Sequence, residues 1–210
     1  MPTILLVRHG QASFGEPVYD RLSEVGRAQA TALGAYLREH LPAEPARIIT
    51  GSLERQTHTA QLAKSAAGWT ADVTTDARWN EYDSDCLLSL AGCSDDIISA
   101  TEFQKRIEVG MRLWATEAQH RSVYREFARA ADEALTELAA VPGTSVVFSS
   151  AGVISQLATA LIDGTVETWV KLCRVAANTG VTTLAAGRQG VNLVSFNQTA
   201  HCTGRLLTYR

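Results

Sequence analysis

The sequence predicts an α/β domain in three layers, with a mostly parallel central sheet flanked by helices. Three observations carry that prediction. Ile4-Leu5-Leu6-Val7 is a continuous apolar run, the pattern of a strand buried on both faces at the centre of a parallel sheet. Strand and helix patterns then alternate, the order of parallel βαβ units with right-handed crossovers. The chain has 210 residues, 46% of them hydrophobic, enough to bury one such domain with a small appended lid.

The first strand runs directly into Arg8, His9 and Gly10. Residues 11–22, with Gly15 and Pro17, make a polar loop. Ser23 caps a helix that runs to about His40, with Glu24 favourably placed in its first turn. Val25, Ala28, Ala32 and Tyr36, with Leu33 and Leu37, supply its core face. Pro42 and Pro45 end it. Arg47-Ile48-Ile49-Thr50 is the second strand, and Gly51-Ser52 a turn. A second helix runs from Leu53 to about Ala66 and stops at Gly68. Asp72-Val73-Thr74-Thr75 is a short third strand, followed by a loop with Trp79, Glu81 and Tyr82.

Residues 83–100 look irregular, with Asp83, Asp85, Asp95 and Asp96 among small apolar groups. Thr101 to Ala140 is mostly helical, with a break near 118–123. The span 83–125 is expected to be a lid or helical insertion in one domain covering 1–210. Pro142-Gly143 then precedes the buried strand Ser145-Val146-Val147-Phe148-Ser149. After Ser150-Ala151-Gly152 a helix is expected from Val153 to about Ile162. Val181–Ala185 and Val191–Phe196, separated by Gly187-Arg188-Gln189-Gly190, form an edge hairpin.

Charge and composition exclude several classes. With 19 Lys and Arg against 22 Asp and Glu, the net charge is −3, without the basic face of a nucleic-acid binder. Mean hydropathy is near zero, and no apolar run approaches the ~20 residues that cross a bilayer. The N-terminus lacks a secretory pattern, so a cytoplasmic protein is expected. Cys86, Cys93, Cys173 and Cys202 show neither CxxC nor zinc-ligand spacing. Reduced thiols are the default, with a Cys86–Cys93 disulfide as the alternative. Trp114 and Trp169 fit either a core or an interface, which leaves a homodimer open.

Three places could carry chemistry. Arg8 and His9 sit at the carboxyl end of a buried strand, where open α/β sheets place ligands, and Gly10 allows close backbone approach. With Ser52 as N-cap, Arg55 falls in the first turn of the second helix, where a cation opposes the helix dipole. Either it is a solvated surface arginine paired with a nearby acid, or it joins the helix N–H groups in receiving an anion. At the end of the fourth strand, Ser150 and the following N–H groups suit an oxyanion. An ordinary turn of small residues is the alternative.

Four motifs in order resemble the histidine phosphatase (phosphoglycerate-mutase-like) superfamily: Leu6-Val7-Arg8-His9-Gly10, Leu22-Ser23-Glu24-Val25-Gly26-Arg27-Ala28-Gln29-Ala30, Ser52-Leu53-Glu54-Arg55-Gln56-Thr57 and Asn80-Glu81. The resemblance implies that family's fold, with His9 as nucleophile, Arg8 and Arg55 as phosphate ligands and Glu81 as proton donor. It implies a small phosphorylated substrate and no cofactor or metal. The chemistry is coherent. Phosphoryl transfer needs positioning and charge stabilisation of three equatorial oxygens, which arginine forks match. An unprotonated imidazole can attack in line, and a carboxylic acid can protonate the leaving oxygen.

One position departs from the pattern. The family's second histidine falls on Ser150, which can hydrogen-bond phosphate but adds no charge. Losing such a charge-assisted bond costs roughly 1.5–3 kcal/mol. His201, after the last strand, is the candidate substitute; a structural histidine is the alternative. His58, three residues beyond Arg55, could border the site. His40 and His120 fit helix surfaces. The leading expectation is a metal-independent phosphomonoesterase acting through phosphohistidine at His9. The alternatives are mutase-type phosphotransfer and a non-catalytic relative that binds a phosphorylated ligand.

Overall fold

The computed structural model describes residues 1–13, 20–92 and 99–209. Six strands, β1 (Thr3–Arg8), β2 (Arg47–Thr50), β3 (Val73–Thr75), β4 (Thr144–Ser149), β5 (Val181–Gly187) and β6 (Gly190–Gln198), form one sheet. Their order is β3-β2-β4-β1-β5-β6. β3, β2, β4 and β1 run parallel, and the β5–β6 hairpin joins β1 antiparallel. In this register Arg8 lies beside Ser149, and Thr50 beside Phe148. His9, Gly51 and Ser150 therefore leave the sheet at one edge, where the site is built.

Each face of β1 is covered. Leu5 and Val7 pack with α1 (Glu24–His40) and α2 (Glu54–Ala67) through Leu33, Leu37, Ala60 and Ala63. Ile4 and Leu6 pack with α5 (Arg121–Ala139) and α6 (Ala151–Leu161) through Ala131, Leu135, Val153 and Leu157. Full burial of each such aliphatic side chain contributes about 1.5–3 kcal/mol. These two cores make the three layers that the apolar run predicts.

A third cluster lies among α3 (Ser84–Leu90), α4 (Ala100–Thr116) and α7 (Val166–Val175), built on Leu87, Ile107, Met111, Trp114, Trp169 and Val170. Both tryptophans are core residues rather than surface ones. Trp169 also satisfies its indole N–H on the Gly152 carbonyl at 2.9 Å, as a buried indole should.

Several expectations need correction. Ser23 caps α1 as predicted, accepting from the Gly26 N–H, but the buried face is Gly26, Gln29, Ala30, Leu33, Gly34 and Leu37. Ala28 is exposed. The face rotates because two glycines press against backbone: a Cβ on Gly26 would sit 2.2 Å from the Gln11 carbonyl oxygen, and one on Gly34 2.2 Å from that of Ala63. Residues 84–90, expected to be irregular, form α3, capped by the Asp83 carboxylate on the Asp85 and Cys86 N–H groups. α6 begins at Ala151 rather than Val153, and α7 has no counterpart among the sequence expectations. Gly15, Pro17, Cys93, Asp95 and Asp96 lie outside the described residues; Cys86, Cys173 and Cys202 are free thiols. Among the described residues no helix is long and apolar enough to cross a membrane.

Candidate active site

The segment after β1 is pinned from three sides. The His9 N–H donates to the Ser149 carbonyl at 2.9 Å, and the His9 carbonyl accepts from the Thr179 N–H and the Asn178 amide, each at 3.3 Å. The Gly10 N–H donates to Thr59 Oγ1 at 3.0 Å. Gly10 itself is required: a Cβ there would lie 2.5 Å from the Gly26 carbonyl oxygen. These contacts fix the His9 ring, which is only 6% exposed.

Its tautomer follows from its partners. Nδ1 lies 2.7 Å from the Gly10 carbonyl oxygen, which can only accept, so Nδ1 carries the proton and Nε2 the lone pair. The Arg55 Nε–H donates to that lone pair at 3.2 Å. Burial, then the charges of Arg55 and Arg8, hold the imidazole pKa well below its ordinary value. His9 is thus kept neutral, with its lone pair on Nε2.

Arg55 enters from the first turn of α2, as its spacing predicts, but Ser52 is not the cap. The cap position is Leu53, and its side chain makes no capping bond. Asp20 takes that role from the preceding loop. One carboxylate oxygen accepts from the Glu54 N–H at 2.7 Å, and the other from Arg55 Nη1 at 2.6 Å. Arg55 therefore has the acidic partner that one reading expected, but its side chain is 11% exposed rather than solvated, and its Nε–H faces the histidine. Ser52 is engaged instead by Asn80, at 2.6 Å through its N–H and 2.7 Å through its hydroxyl. Arg8 is anchored from its far end, with Nη1 donating to the Tyr209 carbonyl at 3.0 Å and to that of Ala176.

Glu81 lies at the N-terminus of α6. Its Oε2 accepts from the Gly152 N–H at 3.1 Å. Burial pushes its pKa up, against the opposing pull of that N–H and of Arg55 and Arg8. A Cβ on Gly152 would lie 2.2 Å from Glu81 Oε1, so the glycine leaves the space the acid occupies. A carboxyl whose pKa is raised and a neutral imidazole in one pocket are chemically suited to serve as general acid and nucleophile.

Arg8, His9, Arg55 and Glu81 line one pocket. Ser150 and His201 do not. Ser150 is fully buried, and its hydroxyl accepts from Gln56 Nε2 at 2.9 Å. The same Gln56 nitrogen donates to the Trp79 carbonyl, which also accepts from Ser149 Oγ. Ser150 thus ties the end of β4 to α2 and to the loop before Glu81, rather than facing a phosphate; its neighbour Ala151 lines the pocket. His201 lines a separate cavity with Tyr36 and His40, and its Nε2 is 3.0 Å from Thr179 Oγ1. Burial lowers its pKa to about 4, and it brings no charge to His9. His58 does not line the pocket either.

The sequence also left part of the pocket unforeseen. Tyr82, Phe103, Gln104, Ile107, Cys173 and Arg174 complete the wall. Burial raises the Cys173 thiol pKa to about 12, so it lines the pocket as a neutral group. Most of these residues sit on α4 and α7, and their meeting depends on how those helices pack. Only Tyr82, next to Glu81, was signalled by position. No group of three or more potential metal ligands occurs among the described residues.

Comparison with known proteins agrees with this fold. The family model described as the histidine phosphatase superfamily (branch 1) matches residues 4–199. No curated protein matches. Among solved structures, a mycobacterial glucosyl-3-phosphoglycerate phosphatase complexed with VO3 superposes with a TM-score of 0.64 at 21% identity, covering 94% of this chain and 99% of that one. Phosphoserine phosphatase from Entamoeba histolytica, in complex with 3-phosphoglyceric acid, gives 0.67 at 20%, covering 96% and 99%. Bacillus stearothermophilus YhfR gives 0.69 at 20%, with the same coverage of each chain. At these identities the structural likeness speaks for the fold.

Proposed function

Because the chain belongs to the histidine phosphatase superfamily, we propose that it is a metal-independent phosphomonoesterase acting through a phosphohistidine at His9. The observation that carries this reading is the His9 ring itself. Its Nδ1 proton is held by Gly10, and its Nε2 lone pair is directed toward Arg55 in a pocket shared with Arg8 and Glu81.

In the first step Nε2 attacks phosphorus in line as the bond to the leaving oxygen breaks. Arg8 and Arg55 receive the equatorial oxygens, and Glu81 gives its proton to the leaving alcohol. The alcohol departs. The Glu81 carboxylate then takes a proton from water as that water attacks the phosphohistidine, which returns Nε2 and releases phosphate. Two guanidinium groups supply the charge that a metal would otherwise provide. α3 and α4 act as the lid, since Ser84, Phe103, Gln104 and Ile107 all line the pocket. Hydrolysis is favoured over mutase chemistry because Ser150 leaves one cation fewer to retain a phosphorylated product.

The test is turnover of 4-nitrophenyl phosphate by EDTA-treated protein, with acid-labile, base-stable phosphate trapped on His9. His9→Ala should abolish both. Near-normal kcat in that variant, or tight phosphate binding without turnover by the unaltered protein, overturns the reading.

A further inference from the structure

The pocket holds a third arginine that the phosphate chemistry does not use. Arg174, on α7, donates through Nε and Nη2 to the two oxygens of Glu108 on α4, at 2.7 and 2.6 Å. Glu108 is 8% exposed and also accepts from Gln104 Nε2 at 3.2 Å. Behind it Arg112 lies 3.8 Å away, itself held by Glu167 at 2.6 and 3.0 Å. Two anions and two cations alternate along this chain.

A network of this kind could serve only to tie α4 to α7. Two observations point further. Arg174 and Gln104 both line the pocket that contains His9. The Arg174 Nη1 amine has no hydrogen-bond partner among the described residues, because the Glu108 bonds use the other edge of the guanidinium. A bidentate lock fixes the plane of the fork, so little further ordering is needed when a second acceptor arrives. The same pocket is also lined by the uncharged side chains of Tyr82, Phe103, Ile107 and Cys173.

We propose that Arg174 is a specificity-determining residue that receives a carboxylate on the alcohol portion of the substrate, with Glu108 as its positioning residue. The substrate class is then a phosphomonoester whose leaving alcohol carries a second anionic group. This rests on the phosphomonoesterase reading and names a further subsite of the same pocket.

The test compares 3- and 4-carboxyphenyl phosphate with their carbamoyl counterparts, which match them in size but lack the charge. In the unaltered protein, kcat/KM should favour the better carboxy isomer by about tenfold or more. In Arg174→Gln that ratio should fall toward one, and in Glu108→Gln it should fall partway. Arg174→Gln/Glu108→Gln removes both charges together and covers the case in which the single variant does not fold. A ratio near one in the unaltered protein, or a ratio that Arg174→Gln leaves intact, overturns the assignment. If none of the esters is turned over, the phosphomonoesterase reading fails separately. Calorimetric Kd values for the intact esters then give the same ratios: a carboxylate preference lost in Arg174→Gln supports the assignment, and one absent or unchanged overturns it.

Discussion

The Nε–H of Arg55 points at Nε2 of His9 across 3.2 Å. The lone pair expected to attack phosphorus is therefore occupied by a donor until a phosphoryl group arrives. Transferring that donor to a phosphoryl oxygen frees the nucleophile and binds the substrate in one movement. Asp20 holds Nη1, on the other edge of the guanidinium.

Arg55→Lys should lower kcat/KM on aryl phosphates by about 10²-fold, because a point charge replaces a fork that loses at least one charge-assisted bond. Asp20→Asn should cost less, about tenfold, since it loosens Arg55 without removing it. The pair is checked by steady-state kinetics. A larger loss in Asp20→Asn than in Arg55→Lys would contradict the proposed order of roles.

For the acid, the shifts have opposite sign and define a window. His9 must be neutral, and its lowered pKa keeps it so well below pH 6.5. Glu81 must be protonated, and its raised pKa extends that state above the usual carboxylate range. Activity should fall at low pH as His9 protonates and at higher pH as Glu81 ionises. Glu81→Gln should remove the upper limb. It should also slow alkyl phosphates by about 10²–10⁴-fold, with far smaller losses for aryl phosphates.

Ser150→Ala leaves the buried Gln56 amide short of one acceptor, at a cost of about 1–3 kcal/mol. At about 2–4 °C per kcal/mol for a chain of this size, that should appear in the Tm, with kcat changed only severalfold. A hundredfold loss of kcat at unchanged Tm would instead place the hydroxyl on the phosphate. Ser150→His has no open space to enter and should destabilise by about 1–3 kcal/mol through overpacking.

His201 should matter for stability and not for turnover. Its folded pKa of about 4 lies below the ordinary 6.5, so the unfolded chain binds the proton first as pH falls. The stability tied to its neutral form is complete above about 6.5 and is lost as pH drops toward 4. In His201→Gln the rise of Tm between those limits should flatten, leaving the part due to His9, and kcat/KM should change less than twofold.

Much of this site could be read from the chain because its parts are local. Arg8 and His9 follow directly from the strand they end, and Arg55 from the helix it begins. Glu81 came from the family resemblance, not from spacing, and its raised pKa depends on burial against α6. The failures share a cause. An apolar period weighs side chains, so it misplaced the α1 face where Gly26 and Gly34 meet backbone. The position of Ser150 at a strand end suggests an anion site, whereas its hydroxyl is taken by Gln56, 94 residues earlier. Arg174 was invisible because its partner Glu108 and its neighbour Gln104 lie on another helix.

Among the described residues β1 pairs with β4 and β5 alone, both encoded beyond residue 143. The strand that carries His9 is therefore made well before either of the neighbours it pairs with. At roughly 5–20 residues per second, Ile4-Leu5-Leu6-Val7 waits on the order of ten seconds before β4 exists to receive it. Through that interval α1, β2, α2 and β3 can assemble only a partial layer, with the place for β4 and β1 still open. His9 is thus held in place only once Ser149, Asn178 and Thr179 have been made, and the apolar strand beside it must be kept from other partners in the meantime.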